Sequence, residues 1–197
     1  MKPNLKSICV FCGSNVGRNP RFREAARAIG KGVAEKGITG VYGGGGVGLM
    51  KVFADSVLGR GGKIIGVIPE MLFQKEVGHA GLTELHRVSS MHERKKMMYD
   101  LSDGFIALPG GFGTFEEILE IITWGQLGLH SKPCGVLNID GYYDAFLTQI
   151  EKGTQEALIR PEHRALILIE RDPLALLEKM ESFQPAHVEK WINEDEV

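Results

Sequence analysis

The residues best placed to do chemistry lie in one run, LPGGFGTFEEILEIITW, where Gly110, Gly111, Gly113 and Thr114 precede Glu116 and Glu117. Glycine has no Cβ, so amide N–H groups here can approach a ligand closely and the chain can turn sharply. A helix opening at Thr114 would add unpaired first-turn N–H groups and a positive dipole end, which suit a phosphate or a carboxylate. Phosphate is the expected anion, with the Thr114 hydroxyl as a further donor. The same residues also satisfy a capping box, in which Thr114 and Glu117 bond each other's backbone N–H groups. Phe115, Ile118, Leu119 and Ile122 mark the expected buried stripe, which leaves Glu116, Glu117 and Glu120 off it. A carboxylate near a helix start stays ionised at neutral pH, so Glu117 suits cation stabilisation or base work rather than acid work.

A second candidate is Arg94 in SSMHERKKMMYDLSDG. Helical spacing puts it on one face with Met91, Met98 and Leu101, so a permanent charge interrupts an apolar stripe. A buried guanidinium needs polar or anionic partners; the alternative is an arginine snorkelling from the stripe edge or pairing with a structural acid. Lys95 and Lys96 read as surface charge, with Lys95 able to reach a ligand near the helix start.

An earlier glycine turn, VYGGGGVGLM, matches G-x-G-x-x-G at Gly43, Gly45 and Gly48, and Glu70 follows at the distance of a ribose-binding acid. Taken alone this suggests NAD, but the turn follows the second expected strand rather than the first, so it reads as a generic nucleotide-approach loop, with tight packing of helix against sheet as the alternative. Leu49 and Met50 stand where a P-loop has Lys and Ser or Thr, which disfavours ATP hydrolysis. Loop position alone adds Ser14 and Gly44 as contacts to phosphate or ribose, while Asp140 reads as a turn residue beside Gly141, with ribose binding as the alternative. Cys9 and Cys12 spell C-x-x-C at the end of a strand pattern, where residues three apart face opposite ways. With Cys134 alone and no ligand spacing among the histidines, no metal site is expected.

These residues need a frame. The short apolar runs SICVF, GVY, KIIGVI, ELHRV, GFIAL, CGVLNI and ALILI alternate with helical periodicity. That alternation predicts an α/β fold of the Rossmann-like, doubly wound kind, with a mainly parallel sheet and helices on both faces. Asn19-Pro20 opens a helix that stops at Gly37, and Pro173 opens the last one. The 197 residues suit a single domain, 1–197, with a polar tail over 184–197 that can fray unless Trp191 docks it. A formal charge of -2 and a pI near 6.3 argue against nucleic acid or an anionic membrane as partner. The absence of a long apolar segment points to the cytoplasm.

The stretch from MHERKK to TWGQLG resembles the LOG (Lonely Guy) family, whose signature P-G-G-x-G-T-x-x-E is met in full by Pro109 to Glu117. The likeness extends from VFCGSNVG through YGGGGVGLM and Arg94-Lys95 to KPCGVLNIDGYYD. It implies a phosphoribohydrolase that cuts the N-glycosidic bond of cytokinin riboside 5'-monophosphates, and of AMP in many members, releasing free base and ribose 5-phosphate. It further implies a Rossmann-like fold, a homodimer or higher homo-oligomer, and no cofactor. Carried onto this chain, the catalytic pair is Arg94 and Glu117. Gly110, Gly111, Phe112, Gly113, Thr114 and Glu116, with Lys95, Glu76 and Thr123, would contact the nucleotide. Some members carry a lysine decarboxylase label, although no pyridoxal phosphate site is visible here. The competing expectation is a non-catalytic carrier or sensor of a phosphorylated, purine-like ligand, since related Rossmann-like proteins carry molybdenum cofactor.

Overall fold

A computed structural model of the chain describes residues 5–73 and 78–184. Glu76, Trp191 and the tail beyond Gln184 therefore lie outside the described residues. Each of the seven apolar runs forms a strand: β1 (Ser7–Phe11), β2 (Thr39–Tyr42), β3 (Ile64–Pro69), β4 (Glu84–Val88), β5 (Phe105–Ala107), β6 (Cys134–Leu137) and β7 (Ile167–Glu170). They make one sheet of order β4-β3-β2-β1-β5-β6-β7, and every adjacent pair is parallel. The fold is the doubly wound α/β fold that the alternation predicts. Winding reverses between β1 and β5, so the crevice at their carboxyl ends is where such sheets place ligands.

The helices are α1 (Pro20–Glu35), α2 (Gly48–Leu58), α3 (Glu70–Phe73), α4 (Met91–Asp100), α5 (Phe112–Gln126), α6 (Asp144–Gln155), α7 (Pro161–Arg164) and α8 (Pro173–Glu181). Alternation along β1 divides the core between the two faces. Ile8 and Val10 pack with Ile29 of α1, Phe53 of α2 and Leu176 of α8. Cys9 and Phe11 pack instead with Met98 of α4, Ile118 of α5 and Ile150 of α6. Cys9 and Cys12 fall into opposite clusters, and all three cysteines are buried and unbridged.

Local signals explain where several helices begin. Asn19 caps α1 by accepting from the Arg21 N–H, Pro20 takes the first position, and Gly37 follows the end of the helix with φ of 68°. Asp172 caps α8 by accepting from the N–H groups of Leu174 and Ala175 at 3.0 and 2.8 Å. Helix α8 then buries Leu176, Leu177 and Met180 against the sheet. Asp172→Ala removes both bonds, and we expect a loss of about 1 kcal/mol in urea unfolding with an unchanged denaturant slope.

Candidate functional site

Helix α5 begins at the carboxyl end of β5, but two residues earlier than the sequence suggests. Its N-cap is Gly111, which has no side chain to cap with, and Thr114 is the third helical residue rather than the opener. The capping box expected at Thr114 and Glu117 is thus not formed. The N–H groups of Phe112, Gly113 and Thr114 fall in the first turn, where no helix carbonyl precedes them. A box-like arrangement forms on α4 instead. There Ser90 Oγ accepts from the Glu93 N–H, while the Glu93 carboxylate accepts from the Ser89 N–H and hydroxyl, both at 2.7 Å. These bonds from Ser89 hold the Glu93 carboxyl below its usual range. They also fix the start of α4 one turn before Arg94.

Arg94 is 6% exposed. Its Nε donates to the Val67 carbonyl at 3.1 Å and its Nη2 to the Gly43 carbonyl at 2.8 Å. The Met91 sulfur lies 3.9 Å from Nη1. The arginine does not snorkel; the ends of β2 and β3 receive it. Gly43 must be glycine for this to happen, because a Cβ there would overlap Arg94 Nη2.

Arg94 and Glu117 meet across a cavity of about 210 Å³. Its wall also includes Cys12, Gly13, Ser14, Gly43, Met98 and the run Gly111, Phe112, Gly113, Thr114. Burial pushes the Cys12 thiol far up, and the Glu117 carboxylate adds to the shift, so this wall stays uncharged. Cys9 behind it is raised for the same two reasons, with Arg94 opposing. Among the described residues the cavity thus brings together the Arg94 cation, the Glu117 carboxylate, the Ser14 and Thr114 side chains and the first-turn backbone of α5. An adjoining cavity of about 290 Å³ shares Gly13, Ser14 and Gly111, and adds Gly110 and Tyr142.

Of the other expected contacts, Gly110 touches the adjoining cavity alone, and a Cβ on it would run into Thr114. Gly44 lines neither cavity; with φ of 73° it packs against β3, and it accepts from the His79 N–H at 3.1 Å. Lys95 is no ordinary surface charge. Its ammonium contacts Glu116 and lies 2.9 Å from Glu120, with 12% of the side chain exposed. Desolvation pulls its pKa down, but the two carboxylates outweigh that and leave it raised. A pyridoxal lysine must lose its proton to form a Schiff base, so Lys95 is tuned the opposite way. Thr123 is exposed, three turns along α5, and donates to the Leu119 carbonyl at 2.7 Å. It lies about 16 Å down the helix from its first residue. Asp140 lines a separate groove and is bound by Asn19 and Arg21, as a turn residue. Glu70 pairs with Arg87 at 3.5 Å and lines neither cavity. The buried stripe of α5 runs through Ile118, Ile121 and Ile122, and Leu119, expected on it, is 42% exposed. Met97 and Trp124 are partly buried against the core. No group of three or more potential metal ligands occurs among the described residues.

Sequence reading overlooked Cys12 and Gly13 as cavity walls, although their place at the carboxyl end of β1 was a usable signal. Gly43, expected as a glycine for nucleotide approach, lines the cavity and also seats Arg94.

The profile of the family described as "Possible lysine decarboxylase" matches residues 50–180. A rice protein (Oryza sativa subsp. japonica) named probable cytokinin riboside 5'-monophosphate phosphoribohydrolase is 50% identical over 92% of this chain and 82% of its own length. An Arabidopsis thaliana protein named cytokinin riboside 5'-monophosphate phosphoribohydrolase is 45% identical over 93% of this chain and 85% of its own. The chain belongs to the LOG family. Among solved structures, a molybdenum cofactor binding protein from Rippkaea orientalis aligns with a TM-score of 0.68 at 21% identity, over 92% of this chain and 97% of its own. That likeness shows the shared fold.

The Arg94 seat can be tested within this LOG chain by two glycine substitutions. Gly43→Ala should cost about 2 kcal/mol or more in urea unfolding, since the new Cβ would push a charged, buried donor off the Gly43 carbonyl. Gly113→Ala, whose Cβ would meet nothing within 4 Å, should leave stability unchanged or slightly raised.

Proposed function

We propose that this protein hydrolyses the N-glycosidic bond of cytokinin riboside 5'-monophosphates, and of AMP itself, giving free base and ribose 5-phosphate. The observation that carries this reading is the single cavity that places Arg94, Glu117 and the first turn of α5 around one space. The relatives named for this activity are 45% and 50% identical over more than nine-tenths of the chain.

In this mechanism the α5 amides and Thr114 hold the 5'-phosphate and so fix the ribose. The C1'–N9 bond breaks with its electron pair moving to the purine, and positive charge develops on the sugar ring. Glu117 stabilises that oxocarbenium-like centre and takes a proton from the water that adds its oxygen to C1'. Arg94, held rigid by two carbonyls, orients the substrate and offsets negative charge on the departing base. It remains protonated throughout, so the purine's incoming proton comes from solvent.

Substrate is the expected partner, and the proposed setting is the cytoplasm; no helix among the described residues is long and apolar enough to cross a membrane. We assign the protein a homodimer or higher homo-oligomer. Met91, Phe112 and Leu119 on α4 and α5 are 38%, 92% and 42% exposed; Phe112 lines the cavity, and the Met91 sulfur lies 3.9 Å from Arg94 Nη1. A second copy covering them would help build the pocket for the N6 substituent. Sedimentation should then return at least twice the 21.7 kDa chain mass; a monomer at micromolar concentration would contradict the assignment. A carrier reading has only the fold behind it.

The deciding experiment incubates pure protein with AMP and N6-isopentenyl-AMP and follows free base. Glu117→Gln should reduce turnover by at least about 1000-fold while nucleotide still binds. Equal turnover by parent and variant would refute the role of Glu117, and no base release by the parent would favour the carrier.

A further inference from the structure

We infer that Tyr142 is a positioning residue for the phosphate-binding turn, setting the Gly110–Gly111 peptide through a hydrogen bond to the Gly110 carbonyl. The inference deepens the proposed function and rests on its placement of the 5'-phosphate at the start of α5.

The Tyr142 hydroxyl donates to the Gly110 carbonyl, 32 residues away in sequence. Gly110 immediately precedes Gly111, the N-cap of α5. No cis peptide occurs among the described residues, and in a trans peptide the carbonyl of one residue and the N–H of the next point in opposite directions. With the Gly110 oxygen turned to Tyr142, the Gly111 N–H is turned away from it. Gly111 lines both the 210 Å³ cavity and the adjoining one, whereas Gly110 and Tyr142 line the adjoining one alone, so the inferred direction of the Gly111 N–H is away from Tyr142 and toward the cavity of Arg94 and Glu117. A peptide between two glycines is the easiest in the turn to rotate, so it has most need of an external restraint.

Tyr142 is itself held firmly enough to impose one. Asp140 has φ of 51° and ψ of 33°, and Gly141 has φ of 75°, so two successive residues in the left-handed region swing the chain toward the turn. The Asp140 carboxylate accepts from Asn19 Nδ2 at 2.8 Å and from Arg21 Nη1 at 2.5 Å, which ties this bend to the start of α1. The Tyr142 ring stands edge-on to Phe22 and Tyr143, with centroids 5.2 and 5.1 Å apart. Its neighbour Tyr143 donates to the Leu108 carbonyl at 2.6 Å. Two adjacent hydroxyls therefore grip carbonyls two residues apart on the same loop. Tyr143 is fully buried and secures the strand end, whereas Tyr142 is 39% exposed and acts at the glycines.

The test uses Tyr142→Phe, which keeps the ring and removes the donor. Ribose 5-phosphate binding, measured by calorimetry on parent and variant, should weaken by about fivefold to tenfold, the scale of one net hydrogen bond. The KM for N6-isopentenyl-AMP should rise by a similar factor, while kcat stays within about twofold and the thermal midpoint within about 2 °C. Unchanged binding and KM in a variant whose parent binds ribose 5-phosphate would overturn the role of Tyr142 and leave the phosphate reading standing. A variant that loses thermal stability and kcat together would assign Tyr142 a structural role and overturn the inference too. A parent that binds no ribose 5-phosphate would sink the phosphate reading, and this inference with it.

Discussion

A guanidinium cannot shed its proton, so burying Arg94 obliges the fold to surround it with oxygen. Much of the crevice follows from that demand. The Gly43 carbonyl at the end of β2 and the Val67 carbonyl within β3 are both aimed at one side chain on α4. Three elements distant in sequence are locked together by a charge that none of them can leave unpaired. Removing either carbonyl would expose the full desolvation penalty, which for a charged group exceeds the modest net gain of an ordinary hydrogen bond. This explains why the position next to the carbonyl has no side chain: Gly43 yields the volume that Nη2 occupies.

Once the cation is fixed, the remaining charges have little freedom. Glu117 faces the same cavity, and the thiols behind it are pushed up by burial and by that carboxylate, so they add no competing negative charge. In such partly desolvated surroundings an oriented amide or an ion acts more strongly than it would in water. Lys95 and Glu116, next to the two cavity residues, are instead neutralised against each other and Glu120 outside the cavity wall. The adjacent pairs on α4 and α5 are thereby divided. One member of each faces the cavity and the other ties the two helices together.

The parts of this arrangement legible in the sequence are those with local causes. Seven apolar runs became seven strands because a parallel sheet covered on both faces requires continuous short apolar segments. Asn19-Pro20 and the charge at Arg94 were equally visible, the latter because it breaks a helical stripe. The start of α5 was misread by two residues because the usual signal is a side-chain cap, and Gly111 has none. The Ser90 and Glu93 bonds follow the capping pattern that was sought in the wrong place. Contacts made at long range left no local trace. The Lys95 partners lie 21 and 25 residues away, and Tyr142 reaches across 32 to its carbonyl. No periodicity could announce them, since only the winding of the sheet brings these loops to one edge.

Sharing the fold does not by itself separate a hydrolase from a carrier, because any doubly wound sheet offers a helix start at its switch point for an anion. What can separate them is the distance from that anion site to a reactive group. In this chain Glu117 lies five residues beyond the first residue of α5, or about 8 Å along the helix. In the proposed binding mode the side chain leans back toward the helix start, which brings the carboxylate toward a sugar whose phosphate sits there. If α5 holds the phosphate as proposed, a carboxylate one turn earlier would crowd it and one turn later would lie past the sugar, so the proposal gives the spacing within P-G-G-x-G-T-x-x-E a length as well as a chemistry. The rigid α5 backbone then serves as the ruler, and the bonds to the carbonyls of Gly110 and Leu108 hold its zero mark in place.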